Sequence, residues 1–375
     1  MRRLAALLAC GAAVCESPVA AQPTEQPAVT VTPALSLVTD LLHTRGGAER
    51  GNVGLARAEA HLLVDLGAQR SAVLDFGSID GRSISALVGD AQGTSNIEGP
   101  RSTRVFDLFY RWPTGVGRGM ATAGIIDLNA FFYVQGDAAA TFLNGSHGIG
   151  PEFSHSGPRG PSIYPSTSLA ALVEQPVGRS TVRLGVFDAK PNAPGAFGGA
   201  FENQGGHGVL LVGEVEAGPG RVGAWDYSGG AVRASGTSRG RGDAGGYGVL
   251  EFQPRKSLGA WLTAGISNAA YNPVNSYVGG GFLQSLGRLS LGAAVASAGF
   301  PGNPRRETTL EFTAPMDLGR GFTVQPDLQV VAHPAGERGT AWVAGVRLRY
   351  NDDGTPTPRF PFIRRHRLRR PEPGE

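Results

Sequence analysis

Period-two alternation is the feature that most limits what this chain can become. In residues 53–66, VGLARAEAHLLVDL, Arg57, Glu59, His61 and Asp65 fall on one parity, and Ala58, Ala60, Leu62, Val64 and Leu66 on the other. Successive side chains of a strand point to opposite faces, so such a segment has one charged face and one apolar face. In 103–112, Asp107 and Arg111 oppose Phe106, Leu108, Tyr110 and Trp112, with Phe109 the exception. Glu307, Thr309, Glu311 and Thr313 alternate in 306–315, and Gln325, Asp327 and Gln329 in 321–332. Arg347 and Arg349 oppose Trp342, Ala344, Val346, Leu348 and Tyr350 in 340–350.

A soluble sandwich alternates too, so other features must decide. The segments run to about 10 residues, the length of a tilted strand crossing a bilayer. Aromatics gather at strand ends, as interfacial girdles do: Tyr110, Trp112, Trp342 and Tyr350. Connections alternate short (113–118, 178–180, 218–219, 285–287) and long (88–100, 135–165, 189–206, 229–245, 298–305). The predicted strands are 28–42, 53–66, 72–87, 101–112, 119–134, 166–177, 181–188, 207–217, 220–228, 246–253, 258–267, 275–284, 288–297, 306–315, 321–332 and 340–350. They specify an all-β fold, a sixteen-stranded antiparallel transmembrane β-barrel, because an open sheet edge cannot face hydrocarbon. Its inner face is expected to be polar around a column of water. With both termini periplasmic, the short connections are periplasmic turns and the long ones external loops.

The third external loop holds TFLNGSHGIGPEFSHSGPRGPSIYPSTSL at 141–169. It has neither helical nor strand periodicity. Ordered loops of this length are usually functional, and Phe142, Phe153, Tyr164 and four prolines argue for order. The expectation is a loop folded into the lumen, narrowing it. A metal site from His147, Glu152 and His155 is set aside, because a Gly-rich loop does not fix ligand spacing.

Arg2 and Arg3, the apolar run Leu4–Val14 and the small residues Val19, Ala20 and Ala21 read as a secretory signal peptide over 1–21. The chain's two cysteines, Cys10 and Cys15, lie inside it. Residues 22–350 are the barrel, and 351–375 a basic tail read as a disordered extension. The net charge of +3 is too small to imply a nucleic-acid partner. Gly236–Gly240, GTSRG, matches the nucleophile-elbow pattern but lacks the strand and helix that motif requires. No catalytic motif, cofactor or metal site is indicated, and the chain reads as a non-enzyme.

Several segments are similar to the carbohydrate-selective porin family (OprB type). They include TRVFDLFYRW at 103–112, GIIDLNAFFYV at 124–134 and FLNGSHGIGPEFSHSGPRGPSIYPSTSLA at 142–170. Further segments are LGVFDAKP at 184–191, YVGGGFLQSLGRLSLGAAVASA at 277–298 and AGVRLRY at 344–350. The chain departs from that family in a shortened turn between Gly281 and Leu289 and in the tail beyond Tyr350. The resemblance implies an outer-membrane barrel through which small neutral sugars diffuse passively, as a monomer or homotrimer among outer-membrane lipid. A less selective porin for ions and small organic acids is the alternative.

A sugar-selective constriction needs multi-donor groups facing acceptors. Arg57 and Glu59, inward at mid-strand, form the best pair. Asp107 and Arg111 share the inward parity of the fourth strand, and Arg183 is inward against Val182, Leu184 and Val186. Asp127 ends an apolar run, with turn capping as its other role. Glu152 and His155 lie in the constricting loop, where internal hydrogen bonding is the competing use. Trp225 suits either sugar stacking or the lipid-facing girdle, the girdle being preferred.

Overall fold

A computed structural model describes residues 29–191, 208–229, 231–232, 239–240 and 243–352. The expected signal peptide, the tail after Asp352 and residues 236–238 of the GTSRG stretch lie outside them.

The chain forms one closed antiparallel barrel. Its first eight staves are β1 (Thr30–Gly46), β2 (Gly51–Asp65), β3 (Ser71–Gly81), β4 (Ser102–Pro113), β5 (Met120–Ile126), β6 (Ser168–Val177), β7 (Ser180–Asp188) and β8 (Val209–Ala217). The next four are β9 (Gly220–Tyr227), β10 (Ala244–Arg255), β11 (Leu258–Ser267) and β12 (Ser276–Leu286). The last four are β13 (Leu289–Gly299), β14 (Glu307–Thr313, continued as Met316–Gly319), β15 (Phe322–Ala332) and β16 (Thr340–Asn351). The two pieces of β14 lie end to end against β15, so seventeen bonded segments make sixteen staves. Each stave pairs with the next, and β16 pairs with β1 over eleven residues from Ser36↔Asn351 to Gly46↔Ala341. No sheet edge remains to be satisfied by hydrocarbon.

The alternation survives almost intact. Leu41, Val222, Leu262, Phe312 and Trp342 point outward, while Asp40, Glu59, Glu311, Gln325 and Arg347 are buried on the inner face. Tyr110 stacks on Trp112 and Phe322 lies against Tyr350 at the short-turn end.

Four expectations need correction. The strand expected over 72–87 stops at Gly81, whose φ of 133° leaves strand geometry. Ser83 then caps a short helix, α1 (Ile84–Val88), by accepting the Ala86 N–H. The strand expected over 119–134 stops at Ile126, and Asp127 caps a 3-10 turn over Leu128–Ala130. Its apolar continuation Phe131–Tyr133 belongs to the loop, not the wall. Phe106 faces inward beside Asp107, because a bulge sets two residues of β4 against one step of β3. Trp225 is not a girdle residue: it is 3% exposed and faces the lumen.

Trp225 belongs to an inner sector that is apolar. Phe109, Phe187, Leu210, Trp225, Tyr247 and Val249 of the wall pack against Phe131, Phe132, Tyr133 and Phe153 of the loop 127–167. Phe153 stacks on Trp225 at 4.8 Å and 2°. Phe131, Phe132, Phe142 and Phe153 are fully buried, and burial of four such rings favours the docked loop by roughly 6–12 kcal/mol.

Wall carboxylates hold the same loop by its backbone. Glu214 on β8 accepts the Tyr133 N–H at 2.8 Å. Glu311 on β14 accepts the N–H groups of Leu143 and Asn144 at 2.5 and 3.1 Å. Gln325, near the short-turn end of β15, donates to the Thr141 carbonyl at 2.7 Å. A segment leaving β5 and bonded to inward residues of β8, β14 and β15 must cross the barrel interior. It begins at Asp127 rather than 135. The second long connection, 82–101, is held likewise: Glu307 accepts the Ala91 and Gln92 N–H groups at 2.8 and 3.0 Å.

Candidate functional site: a charged constriction

With β4–β10 covered by the loop, the open part of the lumen lies against β16, β1 and β2. A cavity of about 400 Å³ occupies it. Its walls include Arg57, Glu59 and His61 of β2, Arg347 and Arg349 of β16, residues 90–93 and 95–98, and Asp127, Asn129, His155 and Tyr164 of the inserted loop.

Barrel closure assembles the charged wall. Val38 pairs with Arg57 on one side and Arg349 on the other. Asp40 pairs with Arg347 in the same ladder. The Arg347 fork donates from Nε and Nη2 to both Asp40 carboxylate oxygens at 2.6 and 2.7 Å. Planar bidentate pairing fixes orientation as well as charge. Ser95 adds a third donor to Asp40 at 2.7 Å, tying the second long connection to this wall.

Arg57 forms an ion pair with Glu59, as their parity suggested. Its guanidinium lies 4.2 Å above the ring of Tyr164, a cation–π contact that keeps the fork flat. The Tyr164 hydroxyl donates to the Ile97 carbonyl at 2.8 Å, which locks the two inserted segments together. His61 Nδ1 lies 2.7 Å from Asp75 Oδ1, and its Nε2 is 3.7 Å from Glu59.

Of the eight anticipated residues, Arg57, Glu59, Asp127 and His155 line this cavity. Asp127 also accepts the N–H groups of Asn129 and Tyr164 at 2.8 and 3.3 Å, so the capping role is present as well. His155 donates from Nε2 to the Ala91 carbonyl at 2.7 Å.

The other four sit elsewhere. Asp107 accepts the Asp127 N–H at 2.7 Å and anchors the start of the loop. Arg111 pairs with Glu174 at 2.5 Å. Arg183 is enclosed by Glu174, Glu214 and Glu216 at 3.0, 2.8 and 2.6 Å, a wall network beneath the loop. Glu152 turns away from the opening, accepts from the Tyr133 hydroxyl at 2.9 Å and lies against Gly265. A Cβ at position 265 would meet that carboxylate, so a side chain there would force Glu152 to move.

Asp40, His61, Tyr164, Arg347 and Arg349 were not anticipated as site residues. The alternation in 340–350 already put both arginines on the inner face. What was missing was the β16–β1 pairing that sets them beside Arg57.

Below the loop a second chamber of about 620 Å³ opens toward the short turns. Its lining includes Asp137, Glu251, Lys256, Trp261, Arg288 and Asp317. Ala139 and Arg349 line both chambers and mark where they meet.

The structure is similar to Pseudomonas putida OprB at high pH, with a TM-score of 0.74 at 16% identity, over 86% of this chain and 94% of that one. A mutant of the Rh. blastica porin superposes with a TM-score of 0.50 at 10% identity, over 86% of this chain and 100% of that one. At these identities the likeness is one of fold. No curated protein sequence matches the chain. The family model of the carbohydrate-selective porin, OprB family, matches residues 73–277 and 283–351. The break between them falls within β12, ahead of the two-residue turn at 287–288. Matched over most of its length and folded as a sixteen-staved barrel, the chain belongs to the carbohydrate-selective porins of the OprB family.

Proposed function

We propose that this porin works in the bacterial outer membrane and passes small neutral sugars between its inserted loop and the β16–β1–β2 wall. In this reading Arg57, Glu59, Asp127 and His155, the anticipated residues that line the cavity, contact the solute, and His61, Tyr164, Arg347 and Arg349 complete the set. The observation that carries the reading is the meeting of arginine forks, carboxylates and one aromatic face around a single cavity of about 400 Å³. That volume falls within the roughly 300–1,000 Å³ of small-molecule sites. A hydroxyl-rich neutral solute can exchange its water for donors on one side and acceptors on the other. A bare ion meets charges of both signs fixed to each other, and gains less.

Asp107, Arg111, Glu152 and Arg183 take a supporting part in this reading. They fix the loop and the wall, and so the size of the opening.

The test is single-channel recording in a planar bilayer. Glucose added to either side should produce resolvable current block, and Arg57→Ala with Glu59→Ala should weaken it. A current indifferent to every sugar tried would favour the alternative, a less selective pore for ions and small organic acids. The three arginines on one wall make that the second reading.

A further inference from the structure

Seven short connections close one rim of the barrel: 66–70, 114–119, 178–179, 218–219, 256–257, 287–288 and 320–321. Six of them carry a cation, namely Arg70, Arg118, Arg179, Lys256, Arg288 and Arg320, and none carries Asp or Glu. All six cations are exposed. Among the described residues the opposite rim is mixed in sign: Glu49 neighbours Arg50, Asp80 pairs with Arg101, and Glu337 neighbours Arg338. Among the described residues the seven short connections are thus of one sign, with Asp352 at the end of the last strand an exposed acidic residue on that side.

Local geometry does not explain these residues. Arg320 sits at φ 54° ahead of Gly321 at φ 81°. Two successive positive φ angles favour Asn-Gly or Gly-Gly in a tight hairpin. An arginine there is tolerated against backbone preference, which suggests that its charge is used.

The placement of the six identifies the partner. The cations are distributed around the circumference rather than gathered on one side, so a single globular protein could not reach them together. Each of several adjoins an outward apolar side chain: Val116 by Arg118, Val177 by Arg179, Leu286 by Arg288 and Leu318 by Arg320, all more than half exposed. The Tyr110–Trp112 stack and the Phe322–Tyr350 pair lie at the same level. A cation set where the apolar band ends is at headgroup depth.

We propose that the short-turn rim is a collar for the anionic headgroups of glycerophospholipids in the surrounding leaflet. The phosphate and any further acidic group of each lipid would meet Arg70, Arg118, Arg179 and Arg320 as its acyl chains cover the adjoining apolar residues, while Lys256 and Arg288 line the lower chamber. The collar rests on the reading that the barrel spans a membrane, and is independent of which solute passes through it.

The protein carries its own reporter. Trp112 lies at this rim, Trp342 is outward at the other end, and Trp225 and Trp261 are sealed inside at 3% and 4% exposure. The folded barrel bearing Trp342→Phe is reconstituted in vesicles containing brominated phosphatidylglycerol or brominated phosphatidylcholine, and quenching of Trp112 is compared. A lysine or arginine at an anionic surface favours it by about fivefold, so the relative association constant obtained from quenching, with each brominated lipid titrated into unbrominated phosphatidylcholine, should favour the anionic lipid by at least that factor at low salt. High salt should erode the preference. Substituting Arg70, Arg118, Arg179 and Arg320 with Gln should bring the two lipids close to parity; Lys256 and Arg288, which line the lower chamber, are left in place.

Equal quenching by the two lipids in the unsubstituted collar would overturn the proposal, as would a preference that survives the four substitutions. Loss of the preference on removing residues 353–375 would assign it to the basic tail and overturn the collar. Retention of the barrel by peptidoglycan without any lipid preference would overturn it in favour of a polymer partner. Sugar block recorded from the same preparations separates the two readings: its absence counts against sugar passage and leaves the lipid result standing.

Discussion

Glu311 is the residue through which the width of the pore can be tested most directly. It is fully buried on β14, and its two oxygens take the N–H groups of Leu143 and Asn144 at 2.5 and 3.1 Å. A hydrogen bond contributes about 0.5–1.5 kcal/mol, and one to a charged group about 1.5–3, so Glu311→Ala removes roughly 1–6 kcal/mol of anchoring from the middle of the inserted loop. The loop does not leave, because Phe131, Phe132 and Phe153 still hold its flanks. Global stability should change less than the local figure. The neighbouring Asp327 carboxyl both repels Glu311 and is hydrogen-bonded to it, so the substitution removes that repulsion and that bond together while two N–H groups lose their acceptor. The measurement is therefore amide hydrogen exchange at Leu143 and Asn144, combined with single-channel conductance. A loss of about 3 kcal/mol corresponds to roughly a hundredfold faster exchange at those amides. Conductance and open-channel noise should both rise, and Glu311→Gln, which keeps one acceptor, should fall between. Unchanged exchange at 143 and 144 together with wild-type conductance would refute the idea that this carboxylate holds the loop in the lumen.

Other consequences are testable in the same preparations. Trp225→Ala removes the ring stacked on Phe153 and should cost about 3–5 kcal/mol, read as a lower denaturation midpoint, with a wider pore if the protein still folds. In the second long connection, burial pushes the Asp90 carboxyl up to about 7, with repulsion from Glu307 and Glu98 adding to it. Asp90 lines the upper cavity, so it is neutral in acid and gains its charge as pH rises through that value. Reversal potentials under a salt gradient should shift toward cation selectivity with rising pH, and Asp90→Asn should flatten the shift.

Much of this architecture was legible along the chain. The parity of Arg57, Glu59 and His61 against Ala58, Ala60 and Leu62 follows from backbone geometry alone, and it held in β2. The Arg57–Glu59 pair was legible too, because residues two apart on a strand face the same way. Asp127 shows the limit of such reasoning. The apolar run around it reads equally well as a strand against lipid or as a loop segment against the inner wall, since both bury hydrophobic surface. Trp225 was ambiguous for the same reason: periodicity gives its parity but not what covers that face. Asp107, Arg111 and Arg183 were assigned to the inner face, yet the loop covers that sector, so an inward charge there meets a wall carboxylate or a loop amide instead of solute.

By itself, then, the sequence determined a closed barrel of sixteen staves, its apolar exterior, the alternation of short and long connections, and the inward parity of the charged side chains, though not that of Phe106 or Trp225. These depend on period-two geometry and on the demand that every backbone polar group be paired in hydrocarbon. Only the tertiary structure decided which part of the inner face remains open. That depends on where the segment 127–167 docks and on β16 closing against β1, contacts between residues hundreds of positions apart that no local pattern encodes.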